Sequence, residues 1–224
     1  MKKIYLLAGT LAVLFALAYF SILQGGSWAD KPPDLQIQQS LQEPSSPQDL
    51  VNLQSFIPDI LIDLRYASDQ NVFGEKVYKN GVALLRLGTA QKLKAAQEEF
   101  RQQGYTLKIW DAYRSPQAQF KLWEIMPDAR FVVNPNNGYS YHSKGVAVDL
   151  TLVDKNGNEL PMPSEFDNFT DRANRDFSDV EKERADNARF LERVMVKHGF
   201  LSIYYEWWHF VDSDKDKYPV YEPE

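Results

Sequence analysis

The rhythm of apolar and polar positions changes several times along this chain. Lys2 and Lys3 precede Ile4–Leu23, an uncharged apolar run of 20 residues, and small residues, Ser27 and Ala29, stand three and one before a possible cut after Ala29. That layout is the layout of an export signal. The run is also long enough to stay in a bilayer as an anchor. Both readings place the remainder outside the cytoplasmic membrane, periplasmic or otherwise extracytoplasmic. Residues 30–49 are rich in Pro, Gln and Ser, with Pro32, Pro33, Pro44 and Pro47, and read as a flexible linker. The folded domain is expected over 50–224.

Within it, Ile60–Tyr66 has the pattern of a strand and Asp69–Gly74 that of a loop. Thr89 is placed to cap a helix through Gln103, with Leu93, Ala96 and Phe100 along one stripe and Gly104 ending it. Leu107–Tyr113 reads as a buried strand. Ser115-Pro116 starts a helix whose apolar side continues through Phe120, Trp123 and Met126. Over Val146–Leu152 the alternation puts Val146, Val148, Leu150 and Leu152 on one face and Ala147, Asp149 and Thr151 on the other. Ser178-x-x-Glu181 has the form of a capping box for a helix reaching His198 and stopped by Gly199. Leu201–Tyr205 and His209–Asp212 read as closing strands. No regular βαβ rhythm runs through these elements, so the expected fold is α+β: one domain, a mainly antiparallel sheet and flanking helices.

The composition narrows the chemistry. The chain has no cysteine, which excludes disulfides, thiol nucleophiles and thiolate metal sites. Its net charge of −6 comes without a basic stripe, so no nucleic-acid partner is expected, and the membrane enters only through the N-terminal segment. With three histidines, a metal site has few designs. His142 and Asp149 stand seven positions apart with Gly145 between them to fold the loop back. A mid-strand acid in so apolar a setting needs a pairing partner or a cation. Spacing alone leaves open an ordinary loop histidine and an Asp bonded to backbone. Glu206-Trp207-Trp208-His209 sets a carboxylate three residues before an imidazole; a straight strand would turn them to opposite faces, so a turn or bulge at the tryptophans is required. His198 reads as a helix-end histidine. Arg114, between a strand end and a helix start, is placed either to reach into a cleft or to pair with a surface acid.

Five segments together resemble the zinc D-alanyl-D-alanine dipeptidases of the VanX type. They are Asp63-Leu64-Arg65-Tyr66-Ala67 with Asn71-Val72-Phe73-Gly74, then Asp111 to Pro116, Ser140-x-His142-x-x-Gly145-x-Ala147-x-Asp149, Phe166-Asp167-x-Phe169, and Glu206-Trp207-Trp208-His209-Phe210. The resemblance spans about Ile60–Val211. It implies that His142, Asp149 and His209 hold one Zn²⁺ per chain, that Glu206 is the catalytic base, and that Arg114 stabilises the oxyanion. It further implies that Ser140 and Asp167 hold the ammonium group of a small dipeptide. The related D,D-carboxypeptidases of the VanY type, which trim peptidoglycan stem peptides, share the His, Asp and Glu-x-x-His skeleton but usually have Pro where this chain has Trp207. The double Trp therefore points to the dipeptidase branch. One departure is the lack of a Gly near Met162. Other classes consistent with the skeleton are the stem-trimming carboxypeptidase and a wall-peptide binding module without turnover, which would have no use for Glu206.

Overall fold

The computed structural model describes residues 44–221; the export or anchor segment and most of the linker lie outside them. Seven strands and four α-helices make up the domain. Strand β1 (Leu50–Asn52) leads into the short helix α1 (Leu53–Phe56), and β2 (Leu61–Ile62) follows. Strand β3 (Leu84–Arg86) runs directly into helix α2 (Leu87–Gln102), then come β4 (Thr106–Asp111) and α3 (Pro116–Ile125). Strand β5 (Ala147–Val153), helix α4 (Lys182–Lys197), β6 (Phe200–Ile203) and β7 (Glu206–Asp212) follow among the described residues.

The main sheet has the order β2-β4-β5-β7-β6; β2 and β4 are parallel and every other pairing is antiparallel. This is the mainly antiparallel α+β arrangement expected. Strand β5 lies at its centre and is buried along its whole length. Val148, Leu150 and Leu152 join Leu93, Ala96 and Phe100 of α2 and Leu191, Val194 and Met195 of α4 in the principal core. The opposite face of the sheet is thereby left for polar side chains.

Local structure departs from the sequence pattern where tertiary partners intervene. Helix α2 starts two residues before Thr89, because carbonyls of the preceding chain take over the cap. Leu87 N–H donates to Asp49 O (2.7 Å) and Gly88 N–H to Pro47 O (3.1 Å). Thr89 is buried inside the helix, with its hydroxyl on Asp212 (2.7 Å). The same bonds tie the last residues of the expected linker to the domain, and the Asp49 carboxylate accepts from Ser45 and Ser46 N–H. Ser178 does not cap α4: its N–H is held by Asp176 (2.8 Å) and the helix begins at Lys182, with Glu181 at its N-cap. In α3, Ser115 Oγ accepts from Ala118 N–H and Pro116 opens the helix as expected. Its buried face, however, is Ala118, Gln119 and Leu122, and Phe120 is exposed. The cause is Gln119, drawn inward by Arg114 and the Val133 carbonyl. The strand expected over Ile60–Tyr66 shortens to two residues, because Arg65–Ala67 coils into a 3-10 turn that buries Tyr66.

Candidate active site

Two bulges shape the polar face. In β4, Ile109 pairs with Leu150 and Asp111 with Asp149, so Trp110 is extra and Asp111 falls beside Asp149. In β7, the step from Ser202 to Ile203 on β6 spans Phe210 to Glu206 on β7. The chain therefore bulges across Trp207–His209, as the Glu-x-x-His spacing requires, and Glu206 and His209 come to one side: Glu206 Oε2 lies 3.7 Å from His209 Nδ1. Because Asp149 pairs with both Asp111 and His209, three neighbouring strands bring these side chains into one row.

His142 reaches this row from a 3-10 turn, His142–Lys144, closed by Gly145 at φ 73°. A side chain there would be strained by the backbone angle and would meet Leu50 Cδ2 at 2.8 Å. The turn is stitched to the end of β4: Arg114 N–H donates to His142 O (3.2 Å), and His142 Nδ1 lies 2.7 Å from Ala112 O. A carbonyl only accepts, so Nδ1 carries the proton and Nε2 presents its lone pair. His142 Nε2 is 3.2 Å from His209 Nδ1 and 3.5 Å from Asp149 Oδ2, and His209 Nδ1 is 2.8 Å from Asp149 Oδ1.

These separations are what a small cation demands. Donors about 2.0 Å from a tetrahedral ion lie about 3.3 Å from one another. Two imidazoles and a carboxylate, all buried, match zinc chemistry, and their convergence makes this a group that could hold a metal. The Ala112 carbonyl behind His142 is the kind of outer partner that fixes a ligand's tautomer.

All seven side chains singled out from the sequence (Arg114, Ser140, His142, Asp149, Asp167, Glu206 and His209) line one cavity of about 180 Å³. The family whose signature they form matches residues 46–222: peptidase M15, described as D-ala-D-ala dipeptidase. The chain belongs to this family. It is similar to the D-alanyl-D-alanine dipeptidase of Escherichia coli K12, 36% identical over 176 residues that cover 79% of this chain and 91% of that one. The enzyme of the same name from Enterococcus faecium is 33% identical over 189 residues, 75% of this chain and 92% of its own. That of Enterococcus faecalis V583 is 32% identical over 177 residues, 70% and 87% respectively.

The peptidase's electrostatics follow from burial. Burial, then the Asp149 and Asp167 charges, pushes the Glu206 carboxyl well above the ordinary range. Burial also pushes Asp167 up to about 8, although the Tyr66 hydroxyl, 2.9 and 3.1 Å from its two oxygens, works the other way. Burial is the largest influence on Arg114 and opposes its charged form, but Asp111, Tyr78, Tyr66 and Asp149 together outweigh it and hold the guanidinium protonated.

Arg114 corrects one expectation: its partner is a buried acid and not a surface one. Its Nη2 and Nε lie 2.6 and 3.2 Å from Asp111 Oδ2, Nη1 is 2.9 Å from Gln119, and the Tyr66 ring lies beneath the guanidinium. Ser140 accepts from His142 N–H (3.2 Å) and so braces the same turn. His198 stays with the helix-end reading, pairing with Glu99 of α2 at 2.7 Å.

Four contributors carried no sequence-derived role. Tyr66 bonds Asp167, and Asp111 anchors Arg114 and accepts from the Tyr78 hydroxyl. Arg175 is held behind the β7 bulge, donating to Ile203 O (2.8 Å), Trp207 O (2.8 Å) and His209 O (3.2 Å). Tyr66 and Asp111 lay inside recognised segments. For Tyr78 and Arg175 the sequence offered no spacing signal.

Proposed function

We propose that this chain is an exported zinc dipeptidase that hydrolyses free D-Ala-D-Ala to two molecules of D-alanine. The observation that supports the substrate is the buried Asp167–Tyr66 pair, which lines the same 180 Å³ cavity as the metal group. An Asp167 ionised on binding suits a free ammonium group. The named activity of the three relatives agrees with this substrate.

His142, Asp149 and His209 would hold one zinc ion. When bound, it would supply a Lewis acid for the scissile carbonyl and acidify a water molecule toward pKa ~7. Glu206 would serve as the base. Its raised affinity for a proton matches it to taking one from water near neutral pH and delivering it to the leaving amine. Arg114, a cation with its fork held by Asp111 and Gln119 in the same cavity, would stabilise the negative charge that develops on the carbonyl oxygen. Ser140 and Asp167 position the amino end. The apolar run at Ile4–Leu23 supports work outside the cytoplasmic membrane, with the segment either cut after Ala29 or retained as the anchor.

The deciding assay compares zinc-loaded protein on D-Ala-D-Ala and on a stem pentapeptide, with Glu206→Gln as control. Release of D-alanine from the dipeptide alone is expected, with turnover lost and zinc retained in the variant. Preference for the pentapeptide would make it a stem-trimming D,D-carboxypeptidase. Tight peptide binding with no hydrolysis of either would make it a binding module. Mass analysis of the chain recovered from the cell envelope distinguishes the cleaved from the anchored form.

A further inference from the structure

A single 3-10 turn has little rigidity of its own. His142–Lys144 is such a turn, and it carries the one side chain of the metal group that no strand pairing fixes, since Asp149 and His209 are partners across β5 and β7. The turn is held from outside instead. The carbonyls of four successive residues each accept a bond from elsewhere in the fold. His142 O accepts from Arg114 N–H (3.2 Å), Ser143 O from Tyr221 N–H (3.0 Å) and Gly145 O from Arg86 N–H (2.9 Å). Lys144 O accepts from the Arg86 side chain, Nε at 2.8 Å.

Arg86 therefore holds the turn with both backbone and side chain. It ends β3 and is only 4% exposed. Its other two side-chain bonds also go to carbonyls: Nη2 donates to Pro219 O (3.0 Å) and Nη1 to Gln48 O, and the guanidinium lies over the Tyr221 ring at 5.1 Å. A charged group at this depth is costly, and burial pushes its pKa below the ordinary value. What the planar fork supplies in return is geometry, because it fixes carbonyls from three separate segments around one centre. The segment Pro219–Tyr221 is itself tied to the end of β4. The Tyr113 hydroxyl donates to Tyr221 O (3.1 Å), and the two rings meet edge to face at 5.4 Å. Neither Arg86 nor Tyr221 lines the catalytic cavity, so both act on it only through the turn.

We infer that Arg86 and the segment Pro219–Tyr221 are positioning elements for the metal group: they hold the His142 turn where Nε2 meets Asp149 and His209, and thereby set the affinity for zinc. The inference rests on the zinc reading of those three side chains and holds whichever peptide the enzyme hydrolyses.

Two measurements on the full chain test it together: zinc affinity by competition with a chromophoric chelator, and urea unfolding of the metal-free protein. Tyr221→Pro deletes the N–H that holds Ser143 O, at a half-buried position, whereas Tyr221→Phe keeps both the N–H and the ring. Arg86→Lys keeps the charge and loses the fork. Tyr221→Pro and Arg86→Lys should each weaken zinc binding by about tenfold or more, as loss of an outer partner of a metal site does. Tyr221→Phe should bind zinc like the parent protein, and metal-free Tyr221→Pro should unfold at a urea midpoint close to that of Tyr221→Phe. Parent-like zinc affinity in both Tyr221→Pro and Arg86→Lys, with binding lost in Asp149→Ala, would overturn the inference and leave the metal reading standing. So would an affinity loss in Tyr221→Pro no larger than its unfolded fraction accounts for. Undiminished zinc binding by Asp149→Ala would remove the metal group itself, and this inference with it.

Discussion

Asp111 and Asp149 are direct partners across β4 and β5, yet their shortest side-chain contacts go to different groups. Asp111 faces Arg114 and accepts from Tyr78 and from Ala112 N–H; Asp149 faces the two imidazoles. Two bare carboxylates side by side at this depth would be untenable. The bulge at Trp110 sets the register that makes them neighbours, and the Asp-x-x-Arg spacing keeps one neutralised by protein so that the other is available to a metal.

Truncating Arg114 should therefore cost more than its catalytic contribution. Arg114→Ala strands Asp111 as a buried, unpaired charge, a loss of about 3–5 kcal/mol. Urea denaturation should show this, and Asp111→Asn in the same chain should recover much of it. Turnover should fall by about 10²–10³ in both variants while zinc content is unchanged. Loss of zinc instead would mean that Arg114 holds the ligand turn.

Zinc should stabilise the fold and chelation should reverse the effect. Binding at a free concentration a thousandfold above Kd contributes about 4 kcal/mol, read as a rise in the thermal midpoint. Asp149→Ala should abolish the rise, because it removes the only anionic donor of the group, and Glu206→Gln should preserve it. A metal response that survives Asp149→Ala would place the ion elsewhere.

Much of this site was legible because chain-local rules fixed it. The alternation over β5 put Asp149 opposite the apolar side chains, and the Glu-x-x-His spacing demanded the bulge that β7 shows. What stayed illegible depends on partners remote in sequence. The start of α2 is set by Pro47 and Asp49 carbonyls, and the buried face of α3 by Gln119 turning toward Arg114. Tyr66 looked like the end of a strand and is the partner of Asp167, 101 positions away. No periodicity encodes such a pairing.

Arg175 illustrates the same limit and gives a further expectation. Its guanidinium clasps carbonyls on both sides of the β7 bulge and stacks on Phe210, and burial draws its pKa down to about 10. Arg175→Met leaves buried carbonyls without donors, each costing about 1–3 kcal/mol. The midpoint of unfolding should drop, and kcat should fall while KM for the dipeptide changes little, since Glu206 and His209 shift but the Asp167 end does not. Lys has one charge centre in place of a fork, so Arg175→Lys should restore stability in part and kcat less.

Asp167 offers the sharpest pH test. In the unfolded chain its carboxyl ionises near its ordinary value of 3.8, whereas in the folded protein it holds its proton up to about 8. Between these pH values the unfolded state releases a proton that the folded state keeps, so this group erodes stability from about pH 4 to about pH 8 and adds no further loss above. Asp167→Asn removes the effect. The backbone there sits at φ 56°, a conformation Asn adopts readily, so the substitution brings no new strain. The variant should match the parent protein near pH 4 and exceed it by a few kcal/mol near pH 9, as urea titrations at the two pH values would show. Its KM for a substrate with a free amino terminus should rise at the same time. A variant no more stable at pH 9 than its parent would mean that Asp167 is already ionised in the fold at neutral pH, with its charge met by more than the Tyr66 hydroxyl.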